Sequence, residues 1–127
     1  MLSQGFSKQL RLLNASEYQV VFDNAPLRVS DKHLLLLARP NQKTCPRMGL
    51  VVAKKNLRHA VSRNRFKRIA RESFRLQQQE LAGIDVIVLA RREANEVSQA
   101  DLRKIFDRQW SRLKKKFRDS QREVAGA

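Results

Sequence analysis

A single cysteine, Cys45, rules out an internal disulfide, and it sits between Pro40 and Pro46 in a polar stretch with no plausible base beside it. The two histidines, His33 and His59, have no histidine or cysteine neighbours at metal-ligand spacing, which argues against a zinc site. Only 12 carboxylates are present, spread along the chain without the pairing on a helix or strand that a two-metal site needs. A catalytic centre built from protein side chains, or a metal held by them, is therefore not expected. Long apolar runs are missing too. The longest, Leu34 to Ala38 and Gly49 to Ala53, fall far short of the ~20 residues of a membrane-spanning helix. Met1 to Leu13 has no apolar stretch of the secretory kind, so the expected location is the cytoplasm.

What the chain has in excess is positive charge. Lys and Arg number 27, for a formal net charge of +15 and a pI near 11.3. That balance puts nucleic acid first among partners and an anionic membrane surface second. At 127 residues one domain is expected, burying roughly two-thirds of its unfolded surface around a single core. The charge is concentrated: nine of the 27 cations lie in the 22 residues from Lys54 to Arg75, where Glu72 is the one carboxylate. From Ala60 onward no Gly or Pro interrupts this stretch, and at about 100° per residue Phe66, Ile69, Ala70, Ser73, Phe74 and Leu81 share one side of a helix. Asn64, Lys67, Arg68, Arg71 and Arg75 share the other, with Arg63 nearer the apolar edge and Arg65 on the far flank. Like charges at i, i+4 repel, and one carboxylate cannot neutralise nine cations. A polyanion can. Arg outnumbers Lys five to one from Arg63 to Arg75, and the planar guanidinium fork suits phosphate.

Around this helix the chain divides as follows. Residues 1–13, including Phe6 and Arg11, lack periodicity and read as an extended arm. Asn14 and Glu17 form a capping box opening a helix that carries Tyr18, Val21 and Phe22 on one face and stops before Pro26. Leu27 to Val29 is a weak strand; Leu34 to Ala38 reads as a strand buried on both faces. Arg47 to Lys55 alternates Met48, Leu50 and Val52 against Gly49, Val51 and Ala53, ending on Lys54 and Lys55. The basic helix follows to about Leu81, with Gly83 as its C-cap. Ile84 to Ala90 is a strand, and Ser98 with Asp101 caps a last helix whose inner stripe is Leu102, Ile105, Phe106, Gln109, Leu113 and Phe117. Trp110 flanks the stripe and reads as core. Residues 120–127 show no pattern and are expected to be a mobile tail; Lys114, Lys115, Lys116, Arg118 and Arg122 extend the positive field. The sum is an α+β domain of order α-β-β-β-α-β-α.

Three readings compete on these residues alone: a subunit that binds RNA, a structural ribosomal protein, and a DNA regulator with its basic helix in the major groove. A long Arg-dense face following a sheet fits the last poorly, since base reading needs a few side chains at a helix start.

The stretch Arg47-Met48-Gly49-Leu50-Val51-Val52-Ala53-Lys54-Lys55, then Arg63-Asn64-Arg65-Phe66-Lys67-Arg68 and Arg71-Glu72-Ser73-Phe74-Arg75, resembles the bacterial ribonuclease P protein subunit. The likeness extends over most of the chain, through the arm, the pair Tyr18 and Phe22, and the strand Ile84 to Arg91. It implies a sandwich like the second domain of ribosomal protein S5, with a left-handed βαβ crossover. It implies a ribonucleoprotein in which a catalytic RNA removes the 5′ leader of precursor tRNA, served by Mg²⁺ through the RNA, with no membrane and no obligatory protein partner. By the same resemblance Arg63, Arg65, Lys67, Arg68, Arg71 and Arg75 meet the catalytic RNA. Tyr18 and Phe22 line the leader cleft with Leu37, in place of an aromatic found there in some members, and Lys54, Lys55 and Asn64 stand at its rim. From the residues alone, Tyr18 and Phe22 read instead as an i, i+4 packing pair.

Overall fold

The computed structural model describes residues 10–12 and 14–126. Helix α1 (Ala15–Asp23) opens with the expected capping box: Asn14 Oδ1 accepts from the Glu17 amide, and Glu17 Oε1 accepts from the Asn14 amide. Strands β1 (Leu27–Ser30), β2 (Leu34–Pro40) and β3 (Arg47–Val51) follow, then α2 (Ala60–Leu76), β4 (Ile84–Ala90), a short 3-10 helix (Arg92–Glu96) and α3 (Gln99–Gly126). The sheet order is β1-β2-β4-β3. β2 is antiparallel to both β1 and β4, while β3 runs parallel to β4 with α2 as the crossover.

On one face, α2 and α3 close the core. Phe66, Ile69, Ala70 and Phe74 from α2 and Leu102, Ile105, Phe106, Trp110 and Leu113 from α3 are buried on Leu27, Val29, Leu34, Leu36, Ala38, Val86 and Val88. Aromatic contacts run through the layer: Phe66 to Phe106 at 5.2 Å, Phe74 to Trp110 at 5.4 Å, and Phe106 to Trp110 at 6.1 Å between centroids. Trp110 is core, as its place in the sequence indicates. Its Nε1 donates to Ser73 Oγ (2.8 Å), which in turn donates to the Ala70 carbonyl (3.1 Å), so the buried polar atoms are satisfied.

Among the described residues the other face carries α1 and, from the arm, buried Leu12. Nine residues give a helix about 13 Å long, against strands of about 23 Å, so the described residues leave much of this face open. The expectation that Leu34 to Ala38 is buried on both faces is therefore corrected: Leu34, Leu36 and Ala38 are buried, but Leu35 and Leu37 are only half-buried. A continuous apolar run looks the same whether its second face is covered by protein or left for a ligand.

Two helix ends also differ from expectation. α2 stops at Leu76 rather than near Leu81; a series of turns follows, and Gly83, at φ 95°, occupies the left-handed region before β4. Leu81 is still fully buried, delivered by a turn rather than by the helix. α3 continues through residues 120–126, where the sequence shows no pattern, since neither Gly nor Pro interrupts it before Gly126. Among the described residues no helix is long and apolar enough to cross a membrane.

Candidate nucleic-acid interface

The basic helix is set by the apolar stripe that buries it, so its cations face outward by exclusion. Asn64, Arg68 and Arg75 are exposed; Arg65, Lys67 and Arg71 are half-buried along the same helix. Glu72, the helix's own carboxylate, is taken by Arg103 of α3 at 3.1 Å. Among the described residues, no ion pair engages Arg65, Lys67, Arg68, Arg71 or Arg75. Arg63 has a different setting. Its Nη1 donates to the carbonyls of Leu57 (3.0 Å) and Arg58 (2.8 Å), strapping down the loop that leads into α2.

The helix is registered against the sheet through β3, and β3 against α1 through one arginine. Arg47 donates to both oxygens of buried Asp85 on β4, from Nε at 2.9 Å and Nη2 at 2.7 Å, and to Glu17 Oε2 on α1 at 2.8 Å. Hydrogen bonds to Asp85 raise the Arg47 pKa against the opposing effect of its burial. Asn41 Nδ2 supplies a further bond to Asp85 Oδ1 at 2.8 Å.

Tyr18 and Phe22 lie on one flank of α1 but do different things. The Tyr18 ring lies over Gly49: a Cβ there would come within 2.6 to 2.7 Å of the ring, so only glycine permits the contact. Its Oη accepts the Leu50 amide at 3.1 Å. Phe22, one turn further, remains 43% exposed. Leu37 is half-buried with Tyr18, Val51 and Leu89 around buried Leu12, Val21 and Ile87. Lys54 and Lys55 are exposed in the turn after β3. Phe6 lies outside the described residues. Arg11 is described: it bridges to Met48 in parallel, and the Leu12 amide donates to the Met48 carbonyl at 3.2 Å, so this part of the arm extends the sheet beyond β3.

The expected site residues thus fall around two cavities and an open face. One cavity, of about 190 Å³, lies at the β3 edge between the arm, α1 and α2, and brings Tyr18 to Lys67, Arg71 and Arg11. The other, of about 500 Å³, is lined by Lys55, Asn56, Arg58, Arg92 and Asn95. Asn56 Nδ2 donates to the Ala90 carbonyl (3.1 Å) and Asn95 Nδ2 to the Asn56 carbonyl (2.8 Å), tying the loop before α2 to the end of β4. Sequence reasoning treated Arg91 to Glu96 as a polar link and missed Arg58 and Arg92; the available signal was the doublet Arg91-Arg92 beside the cationic loop 54–58.

Comparison with known proteins identifies the family. The Ribonuclease P family profile matches residues 6–114. The chain belongs to the ribonuclease P protein family. It is 53% identical over 111 residues to the ribonuclease P protein component of Saccharophagus degradans, covering 87% of this chain and 82% of that one. It is 50% identical over 118 residues to that of Chromohalobacter salexigens, covering 93% and 92%. The solved RNase P protein from Staphylococcus aureus superposes with a TM-score of 0.70 at 25% identity, over 90% of this chain and 94% of that one. Membership of the ribonuclease P family makes this chain a protein subunit of an endoribonuclease holoenzyme, with ribonuclease P RNA as its partner. Among the described residues no group of three or more His, Cys, Asp or Glu could hold a metal ion.

Proposed function

We propose that the chain serves tRNA 5′ maturation by gripping two RNAs at once. The α2 cations bind ribonuclease P RNA, and the open sheet face beside α1 takes the single-stranded leader of the precursor. The observation that carries this is the cation row of α2, which no described carboxylate pairs, Glu72 being taken by Arg103, standing next to an apolar face that the described residues leave half-covered. Arg65, Lys67, Arg68, Arg71 and Arg75 supply phosphate contacts to the catalytic RNA, with Arg63 holding the loop before them. Phe22 and Leu37 offer apolar surface to unpaired bases, and stacking on an aromatic ring, worth about 1 to 3 kcal/mol per base, tolerates varied leader sequences. Lys54, Lys55 and Asn64 flank that face for leader phosphates and sugars. Mg²⁺ is held by the RNA, and the work is done in the cytoplasm. A purely structural RNA-binding role is disfavoured by the open apolar face, which phosphate neutralisation alone does not need.

The test is cleavage of a precursor tRNA at low Mg²⁺ by the cognate catalytic RNA, with and without the protein, and by the protein alone. Strong stimulation with no cleavage by the protein alone is expected. Absence of stimulation removes the reading. In the same assay Arg68→Ala should weaken assembly and lower the salt slope by about 0.7 to 0.9.

A further inference from the structure

One row of the sheet breaks the apolar pattern of the open face. Arg39 on β2 and Arg47 on β3 both stand opposite Asp85 on β4 in the strand register. Strand alternation places all three on the α1 side, two residues from Leu37, Ile87 and Gly49, which form the next row across the sheet.

Each arginine holds one end of α1. Arg47 reaches the first turn through Glu17, and Arg39 Nη1 donates to the Val20 carbonyl at 3.3 Å. Val20 is among the last four residues of the helix, whose carbonyls find no partner inside it, and the last turn has no basic residue of its own. Glu17 serves twice: its Oε1 closes the capping box while its Oε2 meets Arg47. Little else fixes this helix. Nine residues are too few for a helix to be stable alone in water, and Val21 is the one residue it buries fully. The clamp itself is firmly seated, because buried Asp85 accepts two bonds from Arg47 and one from Asn41. Each of the three Arg47 nitrogens donates within the chain, and 19% of the side chain is exposed, so it is poorly placed to meet RNA.

We propose that Arg47, with Glu17 and Asp85, is a positioning residue for the precursor: it sets where α1 sits over the sheet, and so the width of the face left for the single-stranded leader, without touching RNA. Arg39 supplies the second hold. The proposal rests on the leader-binding reading and adds to it what places Phe22 relative to the sheet.

The variants are Glu17→Gln, which keeps a capping-box side chain at that position and leaves Arg47 on Asp85, and Arg47→Lys, which keeps the charge but gives up the fork that holds two carboxylates at once. Reconstituted holoenzyme is measured for binding of precursor against mature tRNA over a range of salt, beside the protein's affinity for catalytic RNA and the hydrogen exchange of the α1 amides. Each variant should lower the precursor preference by about fivefold to tenfold, speed exchange in α1, and leave the catalytic-RNA affinity and the salt slope of precursor binding unchanged. The double variant should lose no more than Arg47→Lys alone, because both act through one contact. A salt slope reduced by about 0.7 to 0.9 would make Arg47 a phosphate contact and overturn the positioning role; so would an unchanged precursor preference, or losses that add. If Arg47→Lys lowers the melting transition of the whole domain, Glu17→Gln decides alone. Phe22→Ala separates the two failures. If it lowers the precursor preference while the clamp variants do not, the clamp is wrong and the leader reading stands; if none of the three lowers it, both fall.

Discussion

On the α2–α3 side of the sheet Leu34, Leu36, Ala38, Val86, Val88 and Ala90 are all buried, whereas on the α1 side Leu35, Leu37, Val51 and Leu89 keep part of their surface in water. The residue types are the same; the covering differs. Two helices joined by aromatic contacts close the first side, and a nine-residue helix half-closes the second. Apolar surface exposed in this way weakens folding by forgoing burial, so the open side is the one with a ligand to explain. The closed side supplies the rigidity that holds the α2 cations in register with it.

The largest way to break this contrast is to open the closed side. Phe106→Ala removes a fully buried ring 5.2 Å from Phe66 and 6.1 Å from Trp110. It should cost about 3 to 5 kcal/mol in urea unfolding. A loss under about 1 kcal/mol would mean that this layer is not close-packed.

Next comes the boundary between the two sides. Gly49→Ala places a methyl within 2.6 to 2.7 Å of the Tyr18 ring, which must swing off the strand and release the Leu50 amide. A cost of about 1 to 3 kcal/mol is expected. In a Tyr18→Ala background the same substitution should cost almost nothing, because the clash is gone. Additive losses would show that the ring is not pinned there.

On the open side the expectation reverses. Phe22→Ala should change stability by no more than about 0.5 kcal/mol, yet weaken holoenzyme binding of precursor relative to mature tRNA by about 1 to 3 kcal/mol. Equal weakening for both substrates would assign Phe22 to packing.

How much of this was legible follows from where each signal is written. The Asn14 and Ser98 caps, the α2 and α3 stripes and the cation row depend on residues three or four apart, so the sequence displays them. The end of α2 does not. Gln77, Gln78, Gln79 and Glu80 are good helix formers, and the helix yields there to long-range contacts: Lys114 Nζ donates to Gln77 Oε1 at 2.6 Å and to Glu80 Oε1 at 3.2 Å. The β3-edge pocket was equally hidden. Arg11, Tyr18 and Arg71 meet only because the arm pairs with Met48 and Tyr18 reaches Leu50, two contacts spanning more than 30 residues that no local pattern encodes. The resemblance to a family put Tyr18 with Phe22 on the leader; the geometry separates them, pinning one against β3 and leaving the other exposed.

The smallest expected effect sharpens the comparison from the closed side, where the β1–β2 turn docks on α3. Asp31 Oδ2 accepts from the His33 amide and meets the His33 ring, both at 2.8 Å, while Gln109 Nε2 reaches Oδ1 at 3.4 Å. Nearby, Arg112 Nη1 donates to the Ser30 carbonyl and Arg91 Nη1 to the Asp31 carbonyl. Desolvation raises the Asp31 pKa, but the hydrogen bonds and charge of His33, with the charge of Arg108, outweigh it and leave the net direction downward. A carboxyl whose folded pKa is depressed adds stability that is fully present above its unfolded value, about pH 4, and is lost as pH falls through the lower folded value. The difference in unfolding free energy between the native chain and Asp31→Asn should therefore be constant above about pH 5 and shrink toward pH 3. A difference that stays constant across that window would mean these contacts hold the neutral carboxyl as well as the carboxylate. Ion pairing would then contribute nothing to the docking of the turn on α3.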